Sequence, residues 1–237
     1  MEVLVIFLLC VLGLLYVLGL LAHFVYVRTI SNIKGDKELN IKTRGLRKWD
    51  KSGLYNRTES TPYLSLDMLT KRYPRYPVST EDSFVDFGSG KGRVASYIFN
   101  SWNIPVTGVE LDLQAHQEAL ENRDSFFAKR PELESEKEYF QLENVHAEQY
   151  KIKDRDNIFF FFNPFHVRIF EQVLDNIIKN SEELEKEVFI ILYCPTDEYL
   201  ACMENSPFTF RDEFKAKNSF LNIEKFRIYT LSGMRKK

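Results

Sequence analysis

Residues 84–93 read Phe-Val-Asp-Phe-Gly-Ser-Gly-Lys-Gly-Arg: a short apolar run closed by an acid, three alternating glycines, then the start of a helical stretch. No other segment restricts the fold so strongly. Glycines in such a turn let the backbone take positive φ and approach a ligand where any Cβ would intrude. The helix that follows turns its unpaired amides and partial positive charge toward the same point. Strand, glycine-rich turn and helix in that order open an α/β sheet whose ligands bind beyond the carboxyl ends of the strands.

The rest of the chain continues the alternation. Ser83–Phe87 predicts a buried strand, Lys91–Asn100 a helix, Val106–Glu110 the next strand, and Leu113–Lys129 a helix burying Leu113, Ala119, Leu120, Phe126 and Phe127. Tyr139–Leu142 is a weaker strand, Ile158–Phe162 a fully apolar one, Val167–Lys179 an amphipathic helix and Val188–Tyr193 a further buried strand. Fully apolar strands are expected where helices cover both faces of a parallel sheet. Phe208–Lys217 and Glu224–Leu231 follow with no helix between them, joined by Asn218–Asn222, which predicts an antiparallel hairpin at one edge. Upstream, Thr61–Arg72 places Leu64, Leu66, Met68 and Leu69 on a helix with Pro62 in its first turn, broken after Tyr73 by Pro74 and Pro77. The fold class is therefore α/β, doubly wound and mostly parallel.

Three nucleotide cofactors use a strand–glycine turn–helix. A dinucleotide fingerprint needs glycine or alanine where this chain has Arg93. A Walker A loop needs Ser or Thr after its lysine, and Lys91 is followed by Gly92. An aspartate ahead of the glycines also repels a pyrophosphate and attracts a cationic ammonium. What the segment resembles is the D-x-G-x-G-x-G loop of class I S-adenosylmethionine-dependent methyltransferases, at Asp86, Gly88, Gly90 and Gly92, with Ser89 between the glycines. The resemblance spans residues 84–193. It implies a Rossmann-like sheet of seven strands, S-adenosyl-L-methionine as cofactor, and Asp86 holding its methionine portion.

It also implies further contacts. An acid at the end of the second strand accepts hydrogen bonds from ribose hydroxyls, and Glu110 stands there. Where relatives place an aspartate toward the adenine amine, this chain has His146 and Ala147, with Glu148 as a shifted substitute. Asn163-Pro164-Phe165, after the fourth strand, resembles the [DNS]-P-P-[YFW] turn of methyltransferases acting on nitrogens, less one proline. In that motif amide and backbone oxygens grip the hydrogens of an amine and leave its lone pair aimed at the methyl group. Asn163, Pro164 and Phe165 are thus the catalytic candidates, with a nitrogen as candidate target atom and no general base assigned. Alignment and desolvation supply most of such a transfer, because the donor is already activated.

From Val3 to Val27 the chain has no Asp, Glu, Lys or Arg and is dominated by Leu, Val, Ile and Phe. About 20 such residues span a bilayer core as a helix. A cleaved signal peptide would begin with a basic stretch and end in small residues; here Glu2 opens the run and no A-x-A site closes it. A buried core helix of this length would show a polar face. Gly13 and Gly19 lie outside the small-xxx-small spacing, so dimerisation is not implied.

Arg28, Lys34, Lys37, Lys42, Arg44, Arg47, Lys48 and Lys51 follow the run, opposed by Asp36, Glu38 and Asp50. The positive-inside rule then predicts a single-pass protein with its N-terminus outside and its catalytic domain cytoplasmic. The expected organisation is an anchor over 1–28, a basic stalk or lead-in over 29–60 interrupted by Gly35, Gly45 and Gly53, and a methyltransferase domain over 61–237.

A net charge of −2 gives no nucleic-acid signature. Cys10, Cys194 and Cys202 make neither a Cys-x-x-Cys pair nor a metal-ligand spacing, so no metal is expected. The leading expectation is a membrane-tethered methyltransferase. The alternatives are a catalytically degenerate binding or scaffold protein on the same fold and a nucleotide-dependent oxidoreductase.

Overall fold

The computed structural model describes residues 2–45, 53–56, 59–73, 81–216 and 224–232. Arg47, Lys48, Asp50 and Lys51 of the basic flank, the proline break at 74–77 and the 218–222 connection lie outside the described residues.

A seven-stranded sheet in the order β3-β2-β1-β4-β5-β7-β6 organises the chain. Its strands are β1 Ser83–Phe87, β2 Val106–Val109, β3 Phe140–Glu143, β4 Asp156–Phe161, β5 Val188–Tyr193, β6 Thr209–Lys215 and β7 Lys225–Leu231. β1 to β5 pair in parallel, and β7 runs antiparallel to both β5 and β6, which is the edge hairpin foreseen from the tail. The expected α/β sheet is present, with strands placed to within two residues.

Pleat alternation divides the apolar strands between two cores. Phe84, Ile158, Phe160 and Ile191 face one side, against α3 (Tyr63–Arg72), α4 (Arg93–Trp102) and α5 (Leu113–Ala128). Val85, Phe87, Phe159, Phe161, Ile190 and Leu192 face the other, against α6 (Val167–Leu184) and α7 (Asp197–Glu204). Two helical positions differ from expectation: Leu113 is exposed and Leu120 half-buried. Leu113 opens α5 directly after its N-cap Asp112, where the chain has not yet turned toward the sheet.

The lead-in also departs from expectation. α1 (Glu2–Val25) continues through a π-helical segment, Tyr26–Ile30, into α2 (Ser31–Leu39), ending at left-handed Asn40. Gly35 does not interrupt this helix. A Cβ there would stand 2.2 Å from the Tyr63 ring, so the glycine makes room for α3 to close on α2. Ser31, Asn32, Gly35, Asp36 and Leu39 are buried, and α2 is part of the packed domain rather than an irregular stalk. α1 itself buries nothing and is long and apolar enough to cross a membrane.

Candidate functional site

Strand order reverses between β1 and β4, whose connections leave on opposite sides of the sheet and open a crevice beyond their carboxyl ends. A cavity of about 610 Å³ lies there, within the range of small-molecule sites. Asp86, Gly88, Ser89, Gly90, Glu110, Ala147, Asn163, Pro164 and Phe165 all line it, so residues far apart in the chain converge as expected. Gly92 and His146 do not. Gly92 sits at φ 80° as the residue preceding α4. His146 turns its Nδ1 to the Tyr55 hydroxyl at 2.9 Å and lies 3.6 Å from Glu148. Its extended backbone sends the neighbours Val145 and Ala147 into the wall instead. With Val109 and Leu111 they form an apolar slot suited to a flat base, with no carboxylate at the third-strand position.

The glycine loop works differently from a phosphate cradle. Gly88 N–H and Ser89 N–H both donate to Val109 O, at 2.9 and 3.1 Å, and Gly92 N–H donates to Ser89 O at 2.8 Å. Gly90 N–H donates to Glu110 Oε2 at 2.8 Å, while Asp112 N–H holds Glu110 Oε1 at 2.8 Å. The amides of Gly88, Ser89, Gly90 and Gly92 are engaged within the loop, and Glu110 acts as its clamp. Two side-chain atoms, Asp86 Oδ2 and Ser89 Oγ, are buried without a hydrogen-bond partner.

The electrostatics favour a cation. Asp86 is pushed up to about 8 by burial, with the charge of Glu110 adding to the effect. Burial also raises Glu110, against the lowering effect of its backbone donors. The lining cations are neutralised from outside: Lys91 Nζ meets Glu118 at 2.7 Å, and Arg93 Nη2 meets Asp36 at 3.3 Å. A sulfonium bearing an ammonium therefore meets the acidic side chains of Asp86 and Glu110, whereas the lining cations are already paired and leave less to hold a polyphosphate. Two orphaned polar atoms, a loop of close backbone approach and an apolar slot fit S-adenosyl-L-methionine.

Asn163 ends the fourth strand's turn in the left-handed region at φ 41°, which asparagine tolerates better than most residues. Its Nδ2 donates to Cys194 O, an atom that only accepts, and this fixes the amide orientation. Asn163 Oδ1 is left buried and unpartnered at the cavity. Pro164 packs against Gly88, and Phe165 lies buried edge-on to Phe161. Sequence reasoning missed the strap over this turn. Asn56 N–H donates to Pro164 O at 3.0 Å, His166 N–H to Leu54 O at 2.8 Å, and Tyr55 bridges Phe165. Only residue adjacency in space joins 54–56 to 163–166, so no local pattern announced it.

No protein-family model and no curated protein sequence matches the chain. Solved structures do. Human methyltransferase 10 domain containing protein has a TM-score of 0.56 at 11% identity, covering 88% of this chain and 97% of that one. An RNA methyltransferase from Salinibacter ruber, in complex with S-adenosyl-L-homocysteine, gives 0.51 at 13%, covering 76% and 96%. Precorrin-6y C5,15-methyltransferase from Geobacter metallireducens gives 0.53 at 14%, covering 78% and 95%. The chain has the fold of class I methyltransferases. An RNA and a precorrin enzyme share it, so the fold specifies no acceptor.

Proposed function

We propose that this protein is a membrane-tethered, S-adenosyl-L-methionine-dependent methyltransferase. The observation that carries the reading is Asp86: a buried, unpartnered carboxylate oxygen beside a self-bonded glycine loop, in a cavity whose cations are neutralised from outside. Asp86 and Ser89 hold the methionine end, Glu110 the ribose, and the slot around Val145 and Ala147 the adenine. Bound there, the cofactor supplies an activated methyl group. Asn163, Pro164 and Phe165 orient the acceptor and exclude water from it. In this reading α1 spans the bilayer, and the excess of Lys and Arg after it argues for a cytoplasmic domain.

Calorimetric titration of the full chain with S-adenosyl-L-methionine tests this. One site per chain is expected, weakened about thirtyfold in Asp86→Asn, because a charge-assisted hydrogen bond is lost. Equal affinity in the variant, or no binding to the native chain, would refute the assignment.

A pH signature accompanies it. The carboxyl of Asp86 lies at about 8 in the folded chain against an ordinary 3.8. It stays protonated in the empty site below that value, and binding a cation expels the proton. Affinity should therefore rise with pH up to about 8. Stability of the empty protein moves oppositely: the folded state binds the proton more tightly, so this contribution is full at low pH and lost as pH rises through about 8. Titrations at pH 6.5 in buffers of different ionisation enthalpy should show proton release on binding, absent in Asp86→Asn.

A further inference from the structure

Resting on the methyltransferase reading, we propose that the acceptor is carried by the bilayer itself: an amphiphile with an amine in its headgroup. The carrying observation is a juxtaposition on α2. Asn32 is buried, and its Oδ1 accepts from Arg93 Nη1 at 3.2 Å; Arg93 lines the cavity. The next residue, Ile33, points outward and is 40% exposed, as is Ile30 at 52%. Lys34 and Lys37 follow on the same exposed face. One wall of the cavity thus stands level with apolar side chains that continue the exposed apolar surface of α1.

Helical continuity makes that level a fixed one. Ser31 N–H donates to Tyr26 O, so the backbone stays helical from α1 through the π-helical segment into α2. α2 is held in turn by Asp36, Arg93, Thr43 and Tyr63. From Val27, where the uncharged run ends, to Asn32 the helix rises about 7 Å. A headgroup layer is about 5–7 Å deep on each side of the hydrocarbon core. A soluble acceptor gains nothing from such a mounting. An acceptor confined to the membrane surface is met by the cavity at a constant height.

The chemistry of the acceptor end selects an amine. Asn163 Oδ1 is buried with no donor, Tyr55 and Phe162 also line the cavity, and its cations are engaged with Asp36 and Glu118. A group bringing N–H donors satisfies the orphan oxygen. In the transfer, the headgroup ammonium first gives one proton to water, and the neutral amine's lone pair then forms the N–C bond to the methyl carbon. The S–C bond breaks with its electrons onto sulfur, and one proton of the resulting ammonium leaves to water.

The test uses the full chain in phosphatidylglycerol vesicles doped with phosphatidylethanolamine or with lysyl-phosphatidylglycerol, given methyl-labelled donor. Label is expected in the lipid of one or both amine-bearing vesicles. A variant with Glu-Ala-Ala-Ala-Lys-Glu-Ala inserted after Val25 lifts the domain by about 10 Å on a helical spacer. Its lipid labelling should fall at least tenfold while its affinity for S-adenosyl-L-methionine stays within twofold. Independently of turnover, phosphatidylethanolamine carrying a headgroup diazirine should crosslink to Tyr55 or Asn163–Phe165 in the native chain and not in the lifted one. Intact cofactor binding without lipid label, crosslinks confined to α1, or undiminished labelling by the lifted variant would each overturn the proposal. Loss of cofactor binding by the native chain would instead overturn the methyltransferase reading beneath it.

Discussion

Replacing Asp36 by alanine is expected to lower the thermal midpoint by about 10 °C. The carboxylate accepts from the Thr43 hydroxyl at 2.6 Å, Thr43 N–H at 3.1 Å, the Tyr63 hydroxyl at 2.8 Å and Arg93 Nη2 at 3.3 Å, all within buried surroundings. Arg93 also lies over the Tyr63 ring, 4.6 Å from its centroid. Removing one partner strands a buried guanidinium, a loss of about 3–5 kcal/mol. In a chain of this length each kcal/mol shifts the midpoint by about 2–4 °C. Near-ultraviolet circular dichroism of the detergent-solubilised protein follows the aromatic packing of the domain without the helical backbone signal of α1. Removing both charges, in Asp36→Leu with Arg93→Met, should restore part of the loss, because no unpaired charge remains while the Thr43 and Tyr63 donors stay without their acceptor. A shift below about 3 °C in Asp36→Ala would mean that water reaches the pair.

That network was illegible in the sequence, and the reason is physical. The glycine loop, Glu110 and the apolar strands declare themselves through local spacing and period, which govern backbone geometry directly. Asp36 and Arg93 are 57 residues apart, with α3 and β1 between them, and have no periodic relation. Arg93 was legible only as an obstacle to a dinucleotide loop; its partners were not. Gly35 misled for a related cause. As a sequence feature it predicts interruption, whereas in the fold its missing Cβ admits the Tyr63 ring. His146 shows the same limit at the site. The position at the third strand's end was foreseeable, but its side-chain direction follows from the backbone alternation that puts Val145 and Ala147 into the cavity. Positions were legible where the backbone dictates them. Contacts between distant side chains were not.

The loop and the Asn-Pro-Phe turn should prove to be one mechanical unit, and Gly88→Ala is the substitution that shows it. Gly88 has φ 77°, where an alanine is strained by about 1–2 kcal/mol. Its Cβ would also stand 2.3 Å from Pro164 Cβ, and a proline ring cannot swing aside as a long side chain does. Overpacking of that kind costs about 1–3 kcal/mol, so the variant should lose about 2–5 kcal/mol in total. Both halves of the site move together: displacing the loop disturbs Asp86 and Ser89, and displacing Pro164 disturbs Asn163. Affinity for S-adenosyl-L-methionine and the rate of methyl transfer should therefore fall in the same variant. Pro164→Gly removes the opposing Cβ. Combined with Gly88→Ala it should recover the clash but not the left-handed strain, giving a coupling energy of about 1–2 kcal/mol in a double-mutant cycle of unfolding. Additive losses would mean that the alanine is accommodated by a shift of the loop alone, and that cofactor and acceptor elements are positioned separately.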